Sequence, residues 1–428
     1  MSDTILTDPI AQIRSSKSQT PGRERIAMFT EDVIQSMTVE SPSKILLLVI
    51  DGLGGLPVDG KTELEASRIP NLDRLASQSV CGLMDPLAPG ITPGSGPAHL
   101  ALFGYDPVRY QIGRGVLEAV GVGMNLDPGD LAARGNFATL DSRQIVVDRR
   151  AGRISTDENR KLCQMLQDQI ETVEGTRIVL QSGREHRFVV VFKGECLDDG
   201  LSDADPQKDG KKATPTVATR EEAKPSERVV NTFITRATEL LRGHDPANTV
   251  LLRGFSKVPN IPSMRDLFRL NAGAIASYPM YRGLARLVGM EILEAGETVE
   301  DGIRTLKTHL EDFEFFYFHL KEPDMRGEDG DFEGKVASLE KIDSHMPEIL
   351  SLEPDVIAVT GDHSTPSVLK SHSWHANPIL IFSKYVRTDS VTRFTERECV
   401  LGGLGRISAV NLMPLLLANA LKMRKFGA

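Results

Sequence analysis

The chain has 428 residues, 40% of them hydrophobic and 25% charged, and a formal net charge of −9. That length exceeds one ordinary core and predicts two domains, while the composition is that of a soluble globular protein. The acidic balance argues against a general nucleic-acid partner, and the lack of any apolar run of about 18 residues argues against a helical membrane span.

Residues 1–43 are polar and weakly periodic and predict a partly disordered arm with one helix near 23–37. Its start, MSDTILTDPIAQIRSSKSQTPGRER, lacks the apolar core of a secretory signal. The first core strand is 44–50, and a helix follows in PNLDRLASQSV, started by Asn71 or Pro70. Another helix is predicted over 95–104, with Ser95 as its N-cap and Pro97 in its first turn. From about 120 to 275 the texture turns β-rich (RQIVVDR, TRIVLQSG, HRFVVVFKG), with a helix at 156–172. The stretch 201–228, LSDADPQKDGKKATPTVATREEAKPSER, has no apolar periodicity and predicts a long mobile or functional loop. After 281 helices and strands alternate again: YRGLARLVGMEIL, a strand at 315–319, a helix at 333–350, a strand at 355–360, then PILIFS. Such alternation predicts a mostly parallel sheet with helices on both faces. The whole is an α/β domain, 44–119 and 276–428, split by an inserted α+β domain, 120–275. The four cysteines, Cys81, Cys163, Cys196 and Cys399, form no CxxC pair, which fits a reduced, cytoplasmic setting.

Chemistry concentrates at the strand ends. Asp51 follows KILLLVI, Asp324 follows FEFFYFHLKEP, and Asp362 with His363 opens GDHSTP after DVIAVT; His372 comes nine residues after His363. Ligands of open α/β sheets bind at strand ends, and mixed carboxylate and imidazole donors suit hard to borderline divalent metals. Taken alone, Asp51 reads equally as a turn former, and Asp324 with Glu328 reads as part of a solvated acidic loop. A buried Asp-His pair is harder to dismiss, because its desolvation needs compensation. In TPGSGPAHL, Ser95 stands at a helix start, where a phosphate binds well. Its hydroxyl is a poor nucleophile until a base or metal activates it. His372 and His375 share the SHSWHANP loop, and proximity to GDHSTP marks one of them as a ligand.

LLLVIDGLGGLP, ITPGSGPAHLALFGYDP, GRGVLEAVGVG, ARGNFATLD, VDRRAGRI, VLLRG, HLKEPDMRGE and VTGDHSTPSVLKSHS, in this order, resemble the archaeal type of cofactor-independent phosphoglycerate mutase, a family of the alkaline phosphatase superfamily. The resemblance runs from about residue 44 to the C-terminus. It implies an alkaline-phosphatase-like sheet, interconversion of 3- and 2-phosphoglycerate through a phosphoserine at Ser95, and two divalent metals. Mn is the first choice, with Mg, Co or Zn as alternatives, and no bisphosphoglycerate is required. One metal would take Asp51, Ser95, Asp362 and His363, and the other Asp324, Glu328 and His372, with His375 off the site. Glu328 departs from the family, which has histidine there; the added charge favours Mg or Mn over Zn.

The inserted domain is then expected to grip the substrate. Arg149, Arg150 and Arg153 in VDRRAGRI are its candidates, since the guanidinium fork matches carboxylate and phosphate, with Arg187 and Lys321 behind them. The partner is a small molecule, not a nucleic acid or membrane, and a homo-oligomer is compatible with this. Three rivals share the residues: a phosphohydrolase, a phosphotransferase acting on a small alcohol, and a non-catalytic relative that lost a metal through Glu328.

Overall fold

A computed structural model describes residues 31–194 and 196–427. Of the arm expected over 1–43, residues 1–30 lie outside the described residues. The described end of the arm, the helix Glu31–Met37, is docked: Glu31 Oε2 accepts from Arg109 Nη1 and Tyr110 Oη, each at 2.7 Å.

In chain order the strands are β1 (Ile45–Ile50), β2 (Val80–Asp85), β3 (Leu131–Leu140), β4 (Ile145–Asp148), β5 (Thr172–Val173), β6 (Thr176–Ser182), β7 (Arg187–Lys193), β8 (Lys211–Lys212) and β9 (Thr249–Lys257). There follow β10 (Ala272–Ile275), β11 (Glu291–Leu293), β12 (Phe315–Leu320), β13 (Val356–Thr360), β14 (Asn377–Ser383) and β15 (Gly405–Ser408). An eight-stranded sheet runs β11-β10-β12-β1-β13-β14-β2-β15, and a seven-stranded sheet runs β5-β6-β7-β3-β4-β8 with β9 against β3.

The unbroken apolar run of β1 has a direct cause. Ile45, Leu47 and Val49 enter one core with Phe315 and Tyr317, while Leu46, Leu48 and Ile50 enter the other with Phe316, Leu339 and Ile342. A strand covered on both faces has no solvent side to make polar. Truncating one such side chain to Ala costs about 2–5 kcal/mol. β1 pairs in parallel with β12 and β13, and their C-terminal ends lie level, Ile50 opposite Leu320 and Val49 opposite Thr360. Only β14 enters antiparallel, against β13 and β2.

The second sheet is antiparallel throughout. The helices Thr156–Gln169 and Lys224–Leu240 cover one face through Leu162, Leu166, Val230 and Phe233. The helix Arg114–Gly121 packs Val116, Ala119 and Val120 on the other face, against Ala132, Val189 and Val191.

Two expectations need correction. The stretch 201–228 is not all loop: β8 lies within it, and the helix Lys224–Leu240 begins there with Pro225 in its first turn. β10 lies within the stretch read as insert, yet it pairs in parallel with β12 in the first sheet.

Candidate active site

The three level strand ends bring their acids together. Asp51 follows β1, Asp362 and His363 follow β13, and Asp324 sits in the helix Glu322–Asp329 directly after β12. All four are fully buried. Gly52 turns the chain after Asp51 with φ +68°; a Cβ there would lie 2.8 Å from the Asp324 Cα, so only glycine fits this approach.

Two donor groups result. Asp51, Asp362 and His363 form one, Asp324, His363 and His372 the other, with the donor atoms of each within 4.8 Å of one another. His363 Nε2 lies 3.0 Å from Asp362 Oδ2 and 3.5 Å from Asp51 Oδ1. Its ring stacks on His372 at 3.5 Å, and His372 Nε2 is 3.8 Å from Asp324 Oδ1. Asp51 Oδ1 and Asp362 Oδ2 are buried with no aligned hydrogen-bond donor. Buried carboxylate oxygens left in this state call for a cation, so the residues fit a divalent metal.

The electrostatics agree. Burial alone would raise the Asp51 carboxyl, but His319, His363 and Lys321 outweigh it and hold it well below the usual carboxylate range. Burial works against a charged His363, yet Asp362, Asp51 and Asp324 push its pKa up to about 9. His99, desolvated, falls to about 4 and is neutral.

Ser95 is not the cap of its helix. Gly94, in extended conformation, takes the N-cap position, and Ser95 is the first residue of the helix Ser95–Leu102. Its hydroxyl is free of the backbone and stands 3.3 Å from His363 Nε2. Four residues on, His99 Nδ1 lies 2.9 Å from the Ser95 carbonyl and 3.4 Å from Asp362 Oδ2.

Lys321 is drawn into the centre. Its Nζ donates to Asp51 Oδ2 at 3.1 Å, Asp324 Oδ2 at 2.5 Å and Tyr281 Oη at 3.0 Å. Glu328 is one helical turn from Asp324, with its Oε1 3.7 Å from His372 Nε2 and its side chain 53% exposed. His375 is in neither donor group; its Nδ1 lies 3.0 Å from Ser373 Oγ and its ring stacks on Trp374.

The arginines divide. Arg149 has its fork filled, Nε and Nη2 donating to Asp205 at 2.7 and 2.6 Å. Arg150, Arg153 and Arg187 are exposed, and Arg153 lies 3.9 Å from Glu185. Sequence reasoning missed Arg134 and Arg253, direct cross-strand neighbours on β3 and β9. Their Nε atoms are buried without hydrogen-bond partners; Arg134 Nη1 reaches Glu118 Oε1 at 3.0 Å, and Arg253 Nε stands 3.7 Å from Asp205 Oδ2. Arg114, Arg187 and Arg253 all act on Arg134, which burial and this crowding push below the usual arginine value despite Glu118. Like charges directly opposite on a sheet are unfavourable, so an anion is the natural complement. The helix begun by Arg114 also packs on the helix that carries Ser95, for a Cβ on Gly96 would meet Leu117 Cδ2 at 2.9 Å.

Also missed were His319, whose Nε2 lies 2.9 Å from Asp51 Oδ2, and Thr365, whose hydroxyl donates to Asp324 Oδ1 at 2.5 Å. The signal for His319 was a histidine inside the buried run FFYFHL; Thr365 gave none.

Comparison with known proteins bears on this geometry. Residues 76–248 match the family model of 2,3-bisphosphoglycerate-independent phosphoglycerate mutase. A Thermotoga petrophila relative, a probable 2,3-bisphosphoglycerate-independent phosphoglycerate mutase, is 52% identical over 398 residues, 93% of this chain and 99% of its own. An Aquifex aeolicus relative with the same description is 52% identical over 406 residues, 93% of this chain and 100% of its own. Among solved structures, the cofactor-independent phosphoglycerate mutase of Thermoplasma acidophilum superposes with a TM-score of 0.74 at 31% identity, over 88% of this chain and 100% of its own. The chain belongs to the 2,3-bisphosphoglycerate-independent phosphoglycerate mutase family.

Proposed function

We propose that this chain interconverts 3- and 2-phosphoglycerate through a phosphoserine at Ser95, without bisphosphoglycerate, at a site for two divalent ions. The observation that carries it is the uncapped Ser95 hydroxyl facing two converging carboxylate–imidazole groups. Asp51, Ser95, Asp362 and His363 would hold one ion, and Asp324, Glu328 and His372 the other, Mn being the first choice for so oxygen-rich a set. Held by these residues, such ions would lower the pKa of the serine hydroxyl and offset phosphoryl charge.

Ser95 Oγ bonds to phosphorus as the phosphate ester bond of the substrate breaks, and the freed glycerate hydroxyl takes up the proton that serine gives up. The second half reverses this at the other glycerate hydroxyl. Glycerate must therefore stay bound between the steps. Arg114, Arg134, Arg187 and Arg253 supply the complement to its charge, and Arg150 and Arg153, both exposed, are further candidates. We assign the first sheet to a catalytic domain, 44–119 with 276–428 plus β10, and the second sheet to a substrate domain within 120–275. Closure of one on the other would exclude water. Enolase-coupled turnover of 3-phosphoglycerate with Mn2+ and no bisphosphoglycerate tests the reading; release of inorganic phosphate without 2-phosphoglycerate would leave a hydrolase instead.

Arg149 and Arg150 are expected to separate. Arg149→Ala takes the paired cation from the buried Asp205, which keeps the Gln207 N–H at 2.9 Å and Arg253 at 3.7 Å. Losing one partner of a buried pair costs on the order of 3 kcal/mol, so thermal melting should fall by several degrees. Arg150→Ala should leave melting unchanged and raise KM. The reverse pattern in melting and kinetics would exchange the two roles.

Glu328 is expected to be a ligand despite its exposure, since the helix aims it along the same face as Asp324. Glu328→Ala should weaken metal binding by about tenfold or more and lower kcat. Glu328→His should move metal preference toward Zn or Co. Unaltered Mn2+ affinity in Glu328→Ala would return Glu328 to the solvated acidic loop.

A further inference from the structure

The helix Phe332–Leu350 points a lysine into the interior. Lys335 is fully buried, and its Nζ donates to two main-chain carbonyls, Gly54 O at 3.0 Å and Thr365 O at 2.9 Å. Gly54 belongs to the loop after Asp51, and Thr365 to the loop after Asp362 and His363. One ammonium thus ties together the two loops that carry the first donor group.

The tie extends to the second group. The Thr365 hydroxyl donates to Asp324 Oδ1 at 2.5 Å and lies 3.0 Å from His363 Nδ1. The helix of Asp324 presses on the same carbonyl that Lys335 holds, for a Cβ on Gly327 would lie 2.2 Å from Thr365 O.

Acids hold the outer side. Glu396 accepts from Gly55 N at 2.9 Å and Thr62 Oγ1 at 2.8 Å, and buried Glu63 accepts from Ser367 N at 2.8 Å. Burial pushes the Lys335 ammonium below its usual value, and both carboxylates act against that shift. A buried ionic cluster of this kind is no more stabilising than well-packed hydrocarbon of the same volume. What it offers is fixed geometry, because each charge accepts few arrangements of its neighbours.

We propose that Lys335 is a positioning residue, which sets the separation of the two metal-binding groups by holding the Gly54 and Thr365 carbonyls on one ammonium. The inference rests on the two-metal reading above. The test is calorimetric titration of the full chain with Mn2+ alone, without phosphoglycerate, at a temperature where melting curves show the variant folded. Lys335→Met should bind Mn2+ 10–100-fold more weakly, the range found when supporting partners of metal ligands are removed. Its kcat should fall and its KM for 3-phosphoglycerate change little, and Lys335→Arg should recover part of the affinity. Lys335→Met takes the shared cation from Glu63 and Glu396, so if it does not fold, Lys335→Met with Glu63→Gln removes one charge of each sign and is titrated instead. Affinity reduced by well under tenfold in the folded variant, whatever its melting temperature, would overturn the positioning role alone. Failure of the wild-type chain to bind Mn2+ would overturn the two-metal reading and this inference together.

Discussion

Ser95→Ala is expected to abolish mutase turnover while leaving the chain folded. The hydroxyl takes no part in capping its helix, a task that Gly94 performs through its extended backbone. Losing it should change stability by no more than about 0.5 kcal/mol, as for a substitution without a structural role. Losing the nucleophile of a covalent mechanism removes the whole route, so turnover should fall on the order of 10^4-fold or more. Mn2+ affinity should fall modestly, since Asp51, Asp362 and His363 remain to hold the ion. Mass spectrometry of wild-type chain quenched with 3-phosphoglycerate should find a phosphate on the peptide containing Ser95, and none there in the variant. An active alanine variant, or a phosphate on another residue, would move the nucleophile elsewhere.

How much of this was legible in the sequence depends on how local each cause is. β1, β12 and β13 could be read because a strand buried on both faces is apolar at every position, and their ends carried the acids. β3 could not, because LAARGNFATL places arginine, glycine and asparagine in mid-strand. Arg134 belongs to the arginine cluster and the Asn136 amide donates to the Arg149 carbonyl, so polar contacts of the strand's own broke the pattern that marks a strand. Ser95 was misread as a cap because serine before an apolar helix usually is one. Gly94 offers the same backbone geometry and leaves the serine free. The fate of Arg149 was invisible for a different reason: Asp205, which fills its fork, lies 56 residues away in the chain. Lys335 gave no signal either, since a lysine in a helix is normally on the solvent side.

Chelation is expected to silence the enzyme without unfolding it. Asp51, Asp324 and Asp362 are buried close together, and bare carboxylates so placed repel one another. The chain carries its own partial remedy. Lys321 bridges Asp51 and Asp324, while His363 stands between Asp51 and Asp362 with its pKa raised to about 9, so both side chains are cationic at neutral pH. The stripped chain should therefore keep its fold and its far-UV circular dichroism while turnover falls to background. Adding Mn2+ at 100 times its dissociation constant should stabilise the fold by about 2.7 kcal/mol, seen as a higher melting temperature. Turnover should return in the same titration, with Mn2+ or Mg2+ more effective than Zn2+ if Glu328 joins the second group as proposed. Bisphosphoglycerate should restore nothing. Full turnover in thoroughly stripped protein, or Mn2+ that moves neither melting nor activity, would remove the metals from the reaction and leave the convergence of five buried or half-buried donors at three strand ends without an explanation.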